Sequence, residues 1–317
     1  MEYRLTPNDV RLLERFQKRT ILSIGTPTSK QIYEKKTLPM AFRHPFVMHT
    51  VLAMTHLHDI SLTPFATPQT RASLAYHFHR GASLLHRKLS SPILPSERDA
   101  LWLAASFVSI ASFANVVDIA CPGDAWPLRE SCPSDLDWMK LSDGKKQVWR
   151  LTDPMRSSGV FRDVVNELYA HAMREVVVHD DVDQWGCLPE GFAELYHLRE
   201  DPTCANPYLA AAEALAACWG APGSAEPESR ETVAPLLGFF NKLDARFRRL
   251  LEEKDDRAML MLSYWYARVC DRRHWWMWRR AVLETRAICE YLERRWEGRW
   301  EVKLVEMPKM MAEKCDL

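Results

Sequence analysis

One stretch of the sequence, residues 101–117 (LWLAASFVSIASFANVV), contains no charged residue, and it limits the possible folds more than any other feature. Such a stretch has to be buried, either in a protein core or in a membrane. It is slightly shorter than the roughly 20 residues that a membrane-spanning helix needs, and it stands alone. We therefore expect a helix at the centre of a protein core, and no membrane span.

The same stretch carries small polar residues at every third position. On an α-helix this spacing produces one narrow polar stripe. Two interpretations stay open: the stripe lets neighbouring helices pack closely, or its polar groups line part of a pocket. Close packing is favoured, although one central helix can do both. The stripe consists of Ser106, Ser109, Ser112 and Asn115.

Helix-start patterns recur along the rest of the chain. Thr6 with Asp9 three residues later is typical of a helix N-terminus, and Thr67 stands directly before a proline in the same way. Pro45 opens a segment, FVMHTVLAMTHLH, that is apolar on nearly all sides. No segment alternates apolar and polar residues as a strand does, and the chain has only 11 glycines. The sequence predicts an all-α fold.

We expect one helical domain over residues 1–317 around an apolar pocket, with two lobes that share one core as the alternative. Proline and glycine residues predict internal loops near residues 120–146, 180–206 and 220–230. Apolar spacing predicts three longer helices near residues 232–253, 255–269 and 272–295.

Charge argues against a nucleic-acid binder. Lys and Arg total 42, Asp and Glu total 42, and the formal net charge is zero. A balanced chain lacks the long-range attraction that nucleic-acid binding normally uses. The eight cysteines include no CxxC pair, so zinc-finger and zinc-cluster spacing is missing as well. We expect no direct DNA binding, and an intracellular location in the cytoplasm, or in the nucleus if the protein is regulatory.

Familiar cofactor and metal motifs are not found in the sequence. It has no GxGxxG, GxxxxGK[ST], GxSxG or HExxH pattern. The acidic segments at residues 135–137 (DLD) and 180–183 (DDVD) do not match magnesium-binding motifs of terpene cyclases. His56 and His58, like His77 and His79, lie two residues apart, which places them on different faces of a helix. We expect no cofactor and no metal site.

His49 and His56 are seven residues apart and share one helix face. They predict either a buried polar pair or side chains that reach a ligand, and the buried pair is favoured. Aromatic and methionine residues concentrate in residues 46–54 and 259–278, as an apolar small-molecule pocket would require.

Residues 38–58, LPMAFRHPFVMHTVLAMTHLH, also carry a resemblance. They are similar to a Pro-x-x-Ala-Phe-x-His-Pro-Phe/Tyr-x-Met-His stretch followed by a Leu-Ala-x-x-Ala-x-His helix. That pattern is typical of the regulatory domains of fungal transcription factors of the sterol-uptake-control type. The order of later segments, YHFHRGASLLHRKL, LWLAASFVSIASF and MLSYWYARVCDRRHWWMWRR, also resembles the family. The matching positions are Pro39, Ala41, Phe42, His44, Pro45, Phe46, Met48, His49, Leu52, Ala53 and His56.

The resemblance implies a helical domain that encloses an apolar cavity for a sterol- or terpenoid-sized molecule. Two departures qualify it. The family's paired zinc-cluster cysteines are missing, so the chain resembles only the ligand-sensing half. The family's late Trp-Trp-x-x-Gly-Trp segment ends here in Arg279 and Arg280, and since that region helps to shape the family's sterol site, the ligand's identity stays open.

Two functions follow. The first is a cofactor-free and metal-free cyclase or cycloaddition enzyme of fungal natural-product biosynthesis, which holds a substrate in its reactive conformation. The second is a ligand-sensing regulator or co-regulator that binds a sterol-like effector and acts through a partner protein. The enzyme is slightly favoured, because a sensor needs an additional output component. An apolar small molecule is the expected partner, and a homodimer is allowed for.

The candidate site combines polar groups for chemistry with apolar groups for shape. His56, Tyr264 and Tyr266 are the candidate catalytic residues, because they supply hydrogen bonds or proton transfer. The candidate ligand-binding residues are Ser106, Phe107, Ser109, Ile110, Phe113, Met259, Trp276 and Trp278.

Overall fold

The computed structural model describes residues 3–25, 27–63, 66–172, 185–200, 205–220 and 233–315. The protein is 72% helical, and the described ranges contain 14 α-helices and no strand. The all-α prediction is confirmed. The chain divides into two compact units: unit 1 comprises Met1–Val117 with Asp137–Leu168, and unit 2 comprises Asp118–Leu136 with Tyr169–Leu317.

The helices are divided between the two units as follows. Unit 1 contains α1 Pro7–Arg15, α2 Pro27–Arg43, α3 Pro45–Ser61, α4 Pro68–Leu89, α5 Arg98–Ala114, α6 Asp137–Thr152 and the start of α7 Arg162–Ala172. Unit 2 contains α8 Phe192–Leu195, α9 Leu209–Trp219, α10 Ala234–Lys242, α11 Ala245–Glu252, α12 Asp256–Arg272, α13 Trp275–Arg295 and α14 Glu306–Glu313. After α1, a π-helical turn spans Phe16–Thr20.

Side-chain caps fix where several of these helices begin. The Thr6 hydroxyl accepts a hydrogen bond from the Asp9 backbone N–H at 3.2 Å, and the Asp9 carboxylate accepts one from the Thr6 N–H at 2.8 Å. This reciprocal capping box satisfies donors that a helix N-terminus leaves open. Thr67 accepts from the Thr70 N–H at 3.1 Å and caps α4 in the same manner. Both predicted N-termini are confirmed.

Helix α3 lies at the centre of unit 1. Its residues from Phe46 to His58 are all buried, and it contacts α1, α2, α4 and α5. The closest approach to α4 is at Gly81, where a Cβ atom would lie 3.0 Å from Thr50 Cγ2 and 3.2 Å from the Thr50 backbone nitrogen. Glycine therefore lets the two helices pack at a distance that a larger side chain would prevent.

Helix α5 contains residues 101–114 of the charge-free segment, and most of it is buried within unit 1. Phe113 packs edge-on against Trp138 of α6, with ring centroids 4.8 Å apart. Among the described residues, no helix combines the length and apolar character needed to cross a bilayer.

The core of unit 2 is built on α12 and α13. Trp265 is fully buried between Phe239 and Phe240 of α10, with ring centroids 5.7 and 4.4 Å away. Its indole N–H donates to the Leu236 carbonyl at 2.9 Å. The dense aromatic segment therefore forms packed interior here, with its buried N–H satisfied.

Two boundary predictions are wrong, and one helix was not predicted. The loop expected at 120–146 ends earlier, because α6 begins at Asp137. The single helix expected at 232–253 is broken after Lys242, since Asp244 is extended and its carboxylate caps α11 by accepting from the Phe247 N–H at 2.8 Å. Helix α2 was not expected, and it contains Pro39 in its interior.

The other predicted loops are described only in part. Residues 185–200 and 205–206 of the 180–206 loop form turns and the single-turn helix α8. The DDVD segment lies outside the described residues, as does the 220–230 segment apart from Gly220.

Candidate functional site

A cleft of 370 Å³ opens in unit 1 between α1, the C-terminal part of α3 and the first turns of α4. Its volume lies within the range of small-molecule sites. Most of the described residues that line it are polar, with Ile60 and Ala66 as the apolar ones, but the lining surface mixes polar and apolar groups. The polar lining side chains used below are Arg15, His56, Asp59, Thr67, Gln69 and Thr70.

His56 forms part of the cleft floor, because it lines the cleft although only 5% of its surface is exposed. Its Nε2 is buried, and no residue that the structure describes forms a hydrogen bond with it. Burial, reinforced by the nearby His77, lowers the pKa of His56 to about 4, so the imidazole is neutral at pH 7. The ring stacks on His77 at a centroid separation of 6.0 Å.

The floor of the cleft belongs to a buried histidine cluster, made of His49, His56 and His77. The Nδ1 atoms of His49 and His77 lie 3.0 Å apart, so one ring donates a hydrogen bond to the other. Burial lowers the pKa of His49 to about 4 and also lowers the pKa of His77. The cluster is therefore held together as neutral rings, and His49 makes its buried pair with His77 and not with His56.

Asp9 supports the cluster from α1. Its Oδ1 lies 3.6 Å from His77 Nε2, and its Oδ2 accepts a hydrogen bond from the Tyr3 hydroxyl at 2.9 Å. Burial opposes ionisation of Asp9, but the hydrogen bonds from Thr6 and Tyr3 prevail and keep its pKa below the usual value. Within the described ranges, no group of three or more His, Cys, Asp or Glu side chains is arranged to hold a metal ion.

One side of the cleft carries an ion cluster in which positive charges outnumber negative charges. Arg15 donates to Asp59 through Nε at 3.1 Å and lies 3.0 Å from it through Nη2, while Arg19 binds the other carboxylate oxygen. Two guanidinium groups thus share one carboxylate. The Nε of Arg19 is buried without a hydrogen-bond partner. The cluster retains an excess of positive charge and of donors.

The two predicted catalytic tyrosines lie in unit 2 and have partners in its interior. The Tyr264 hydroxyl donates to the Leu304 carbonyl at 2.7 Å, and the Tyr266 hydroxyl donates to Glu284 Oε2 at 2.5 Å. Both rings are fully buried, and burial raises the pKa of each phenol well above its ordinary value. Neither residue lines either of the two cavities described for the protein.

Tyr266 belongs to a buried polar network with Arg280 and Glu284 on α13. Arg280 forms an ion pair with Glu284, and both side chains are buried. Burial raises the pKa of the Glu284 carboxyl, while the Arg280 guanidinium and the Tyr266 hydroxyl act in the opposite direction. Arg280, one of the two arginines that end the Trp-Trp segment, is therefore a counter-ion of Glu284 in the interior.

The predicted ligand-binding residues are distributed over both units. In unit 1, Phe107 is fully buried against Phe16 and Tyr33, and the Ser106 hydroxyl is buried without a partner. Ser109 donates to the Ala105 carbonyl at 3.0 Å. The remaining members are the buried Phe113 and the half-buried Ile110 in unit 1, and the buried Met259 and Trp276 and the half-buried Trp278 in unit 2.

Of all predicted site residues, His56 alone lines one of the two described cavities. Its contact with a ligand stays a prediction. Sequence reasoning missed Arg15, Asp59 and Thr67 as neighbours of His56. The sequence could have indicated Asp59, because it lies three residues after His56 and so faces the same side of the helix. It could not have indicated Arg15, which lies 44 positions from Asp59.

The second cavity, of 260 Å³, lies beside α11 in unit 2. Arg246 and Arg249 line it together with small and apolar side chains, and no predicted site residue takes part. No model of a known protein family matches the chain, and neither does any curated protein sequence. The resemblance drawn from residues 38–58 stays a prediction.

Proposed function

We propose that this chain is an effector-binding regulatory domain, in which a small molecule occupies the cleft of unit 1 and changes a surface recognised by a partner protein. The proposal adopts the sensor alternative derived from the sequence. Its main support is His56, which lines the cleft and whose buried Nε2 has no hydrogen-bond partner among the described residues. A buried polar atom without a partner costs about 1–3 kcal/mol, and a bound ligand can remove that cost.

A path of packed rings connects the cleft to the protein surface. His56 stacks on His77, and the Tyr76 ring packs against His49 with centroids 5.8 Å apart. Tyr76 is 55% exposed. A ligand that contacts His56 would favour one arrangement of the histidine cluster and of Tyr76 over another. A ligand shifts a population of conformations only when it binds one of them more tightly in this way. Tyr76 is therefore our candidate for the recognised surface.

The cyclase hypothesis receives less support from the geometry. It relies on the hydroxyls of Tyr264 and Tyr266 as groups that reach a substrate, and both are engaged by interior acceptors. The cleft also mixes polar and apolar groups, and so differs from the apolar enclosure that a polyene would need. Incubation of the purified protein with polyene or terpenoid intermediates tests the enzyme hypothesis, and a faster or stereoselective conversion would restore it.

The regulatory proposal is tested by analysis of small molecules that copurify with the protein. Ser73→Trp, on the α4 wall of the cleft, should block occupancy, whereas His79→Trp adds the same ring at an exposed position of α4 outside the cleft. We expect one molecule to be released on denaturation from the wild-type protein and from His79→Trp, but not from Ser73→Trp. Identical extracts from all three folded proteins would contradict the proposal.

A further inference from the structure

We infer that the ligand of this cleft carries a carboxylate, which Arg15, His56 and the N-terminus of α4 bind together. The inference rests on the proposed function and specifies the chemistry of its effector. Arg15 and the N-terminus of α4 offer hydrogen-bond donors and positive charge on the same cleft, and neutral His56 can add a donor in one of its tautomers, so the complementary ligand group is an acceptor with negative charge.

The charge balance supports an anion. Arg15 and Arg19 carry two positive charges against the single negative charge of Asp59. Arg15 uses Nε and Nη2 on Asp59, and its Nη1 has no partner among the described residues. Asp9 is the other carboxylate that influences His56, and its oxygens face Tyr3, Thr6 and His77. One excess positive charge therefore remains beside the cleft.

His56 adds a donor without adding charge. Its pKa of about 4 leaves the ring neutral at pH 7, so it presents one N–H and one acceptor nitrogen. The Nε2 atom has no hydrogen-bond partner among the described residues. In the tautomer with hydrogen on Nε2, a carboxylate oxygen would satisfy this buried donor.

The N-terminus of α4 contributes backbone polarity. Helix α4 is 22 residues long, and Thr67, Gln69 and Thr70 of its first turn line the cleft. The Thr70 N–H donates a hydrogen bond to the Thr67 hydroxyl, whereas the Gln69 N–H has no partner among the described residues. The positive end of the helix dipole favours a negative group at this place.

Volume and lining decide between ligand classes. A sterol needs a long apolar enclosure, whereas Ile60 and Ala66 are the apolar residues among the described residues that line this cleft of 370 Å³. A phosphate ester carries close to two negative charges at pH 7, whereas the Arg15, Arg19 and Asp59 cluster has one excess positive charge. A small carboxylic acid matches both the volume and the charge.

The test uses lactate, benzoate and succinate, each paired with its neutral primary amide, and inorganic phosphate and cholesterol as further probes. Binding to the full chain is measured by saturation-transfer NMR and titration. We expect at least one acid to bind about tenfold tighter than its amide, because a charge-assisted hydrogen bond contributes about 1.5–3 kcal/mol.

The matched variants are Arg15→Gln and Arg11→Gln. Both remove one arginine charge from α1, but Arg11 is exposed and lies outside the cleft. Arg19 still pairs with Asp59 in the first variant, so the fold keeps its ion pair. We expect Arg15→Gln to weaken the acid by about tenfold and Arg11→Gln to change it less than about twofold.

Four outcomes overturn the carboxylate assignment: equal binding of acid and amide, tighter binding of phosphate or cholesterol than of every acid, no effect of Arg15→Gln, or no binding of any probe. None of these outcomes decides the proposed function, which the copurification test addresses separately. In that test, release of a neutral molecule would support the regulatory proposal and contradict the carboxylate assignment.

Discussion

The two units bury polar groups in different ways. In unit 1, three neutral imidazoles lie between α3 and α4, and the one beside the cleft keeps an unpaired nitrogen. In unit 2, the Tyr266 hydroxyl, the Glu284 carboxylate and the Arg280 guanidinium satisfy one another in the interior. A buried network that is closed specifies structure, whereas an open donor beside a cleft is available to a ligand.

The largest expected effect concerns acid. Three histidines of α3, His49, His56 and His58, have pKa values lowered by burial to about 4 from 6.5. Their neutral folded forms give full stability above pH 6.5, and the unfolded chain takes up protons first as pH falls toward 4. We expect unit 1 to lose roughly 1–2 kcal/mol per histidine between about pH 7.5 and 5.

Urea unfolding at the two pH values measures this loss. Asp9 does not interfere, because its pKa is lowered from 3.8 and its contribution is lost only below that window. If the stability of unit 1 is unchanged or higher at the lower pH, its histidines are not held neutral by burial. The contrast with the ionic network of unit 2 would then be wrong.

The next largest effect is expected from Glu284→Ala. It leaves the buried Arg280 charge and the Tyr266 hydroxyl without their shared acceptor, which costs about 3–5 kcal/mol. Glu290→Ala on the same helix is the matched control, since the exposed pair of Glu290 and Arg294 contributes at most about 0.5 kcal/mol. Equal losses in denaturant unfolding would show that the network of unit 2 is not closed as described.

A direct comparison of the two kinds of polar group uses Tyr266→Phe and His56→Leu. Tyr266→Phe removes a satisfied donor from Glu284 and should cost about 1–3 kcal/mol. His56→Leu removes a buried nitrogen that has no partner among the described residues, so it should leave the free energy of unfolding unchanged or raise it by up to about 1–3 kcal/mol. A larger loss for His56→Leu than for Tyr266→Phe would contradict the distinction between an open and a closed site.

The smallest effect tests the packing that positions the histidine cluster. Gly81→Ala places a Cβ atom 3.2 Å from the Thr50 backbone nitrogen, so α3 and α4 must move apart. Gly144→Ala in α6 meets no atom within 4 Å. We expect Gly144→Ala to stabilise by about 0.5–1 kcal/mol and Gly81→Ala to destabilise by about 1 kcal/mol. Thermal unfolding measures both, and stabilisation by Gly81→Ala would contradict the close approach.

Local chemistry made much of the fold predictable. Thr6, Pro45 and Thr67 fix helix starts through caps or a preset backbone, and these features are visible in a few residues. The break at Asp244 was missed, because apolar spacing continues across it and only the cap made by the carboxylate ends one helix and starts the next.

The site was less predictable, because its geometry depends on distant partners. A pattern of apolar and polar residues cannot distinguish a Tyr264 hydroxyl that faces a ligand from one that donates to Leu304, 40 positions away. The pairing of Arg15 with Asp59 and of His49 with His77 likewise follows from the packing of α1, α3 and α4. The sequence predicted His56 as a site residue, but it did not predict the residues that lie beside His56 in the cleft.

The central claim is that the ligand site lies at His56 in unit 1 and not in the aromatic core of unit 2. NMR of one sample with ¹⁵N-labelled histidine and ¹³C-methyl-labelled methionine tests it, with the copurified molecule or the tightest acid as titrant. We predict that the His56 resonances shift while the methyl groups of Met259 and Met277 stay in place. Shifts confined to Met259 and Met277 would contradict the account.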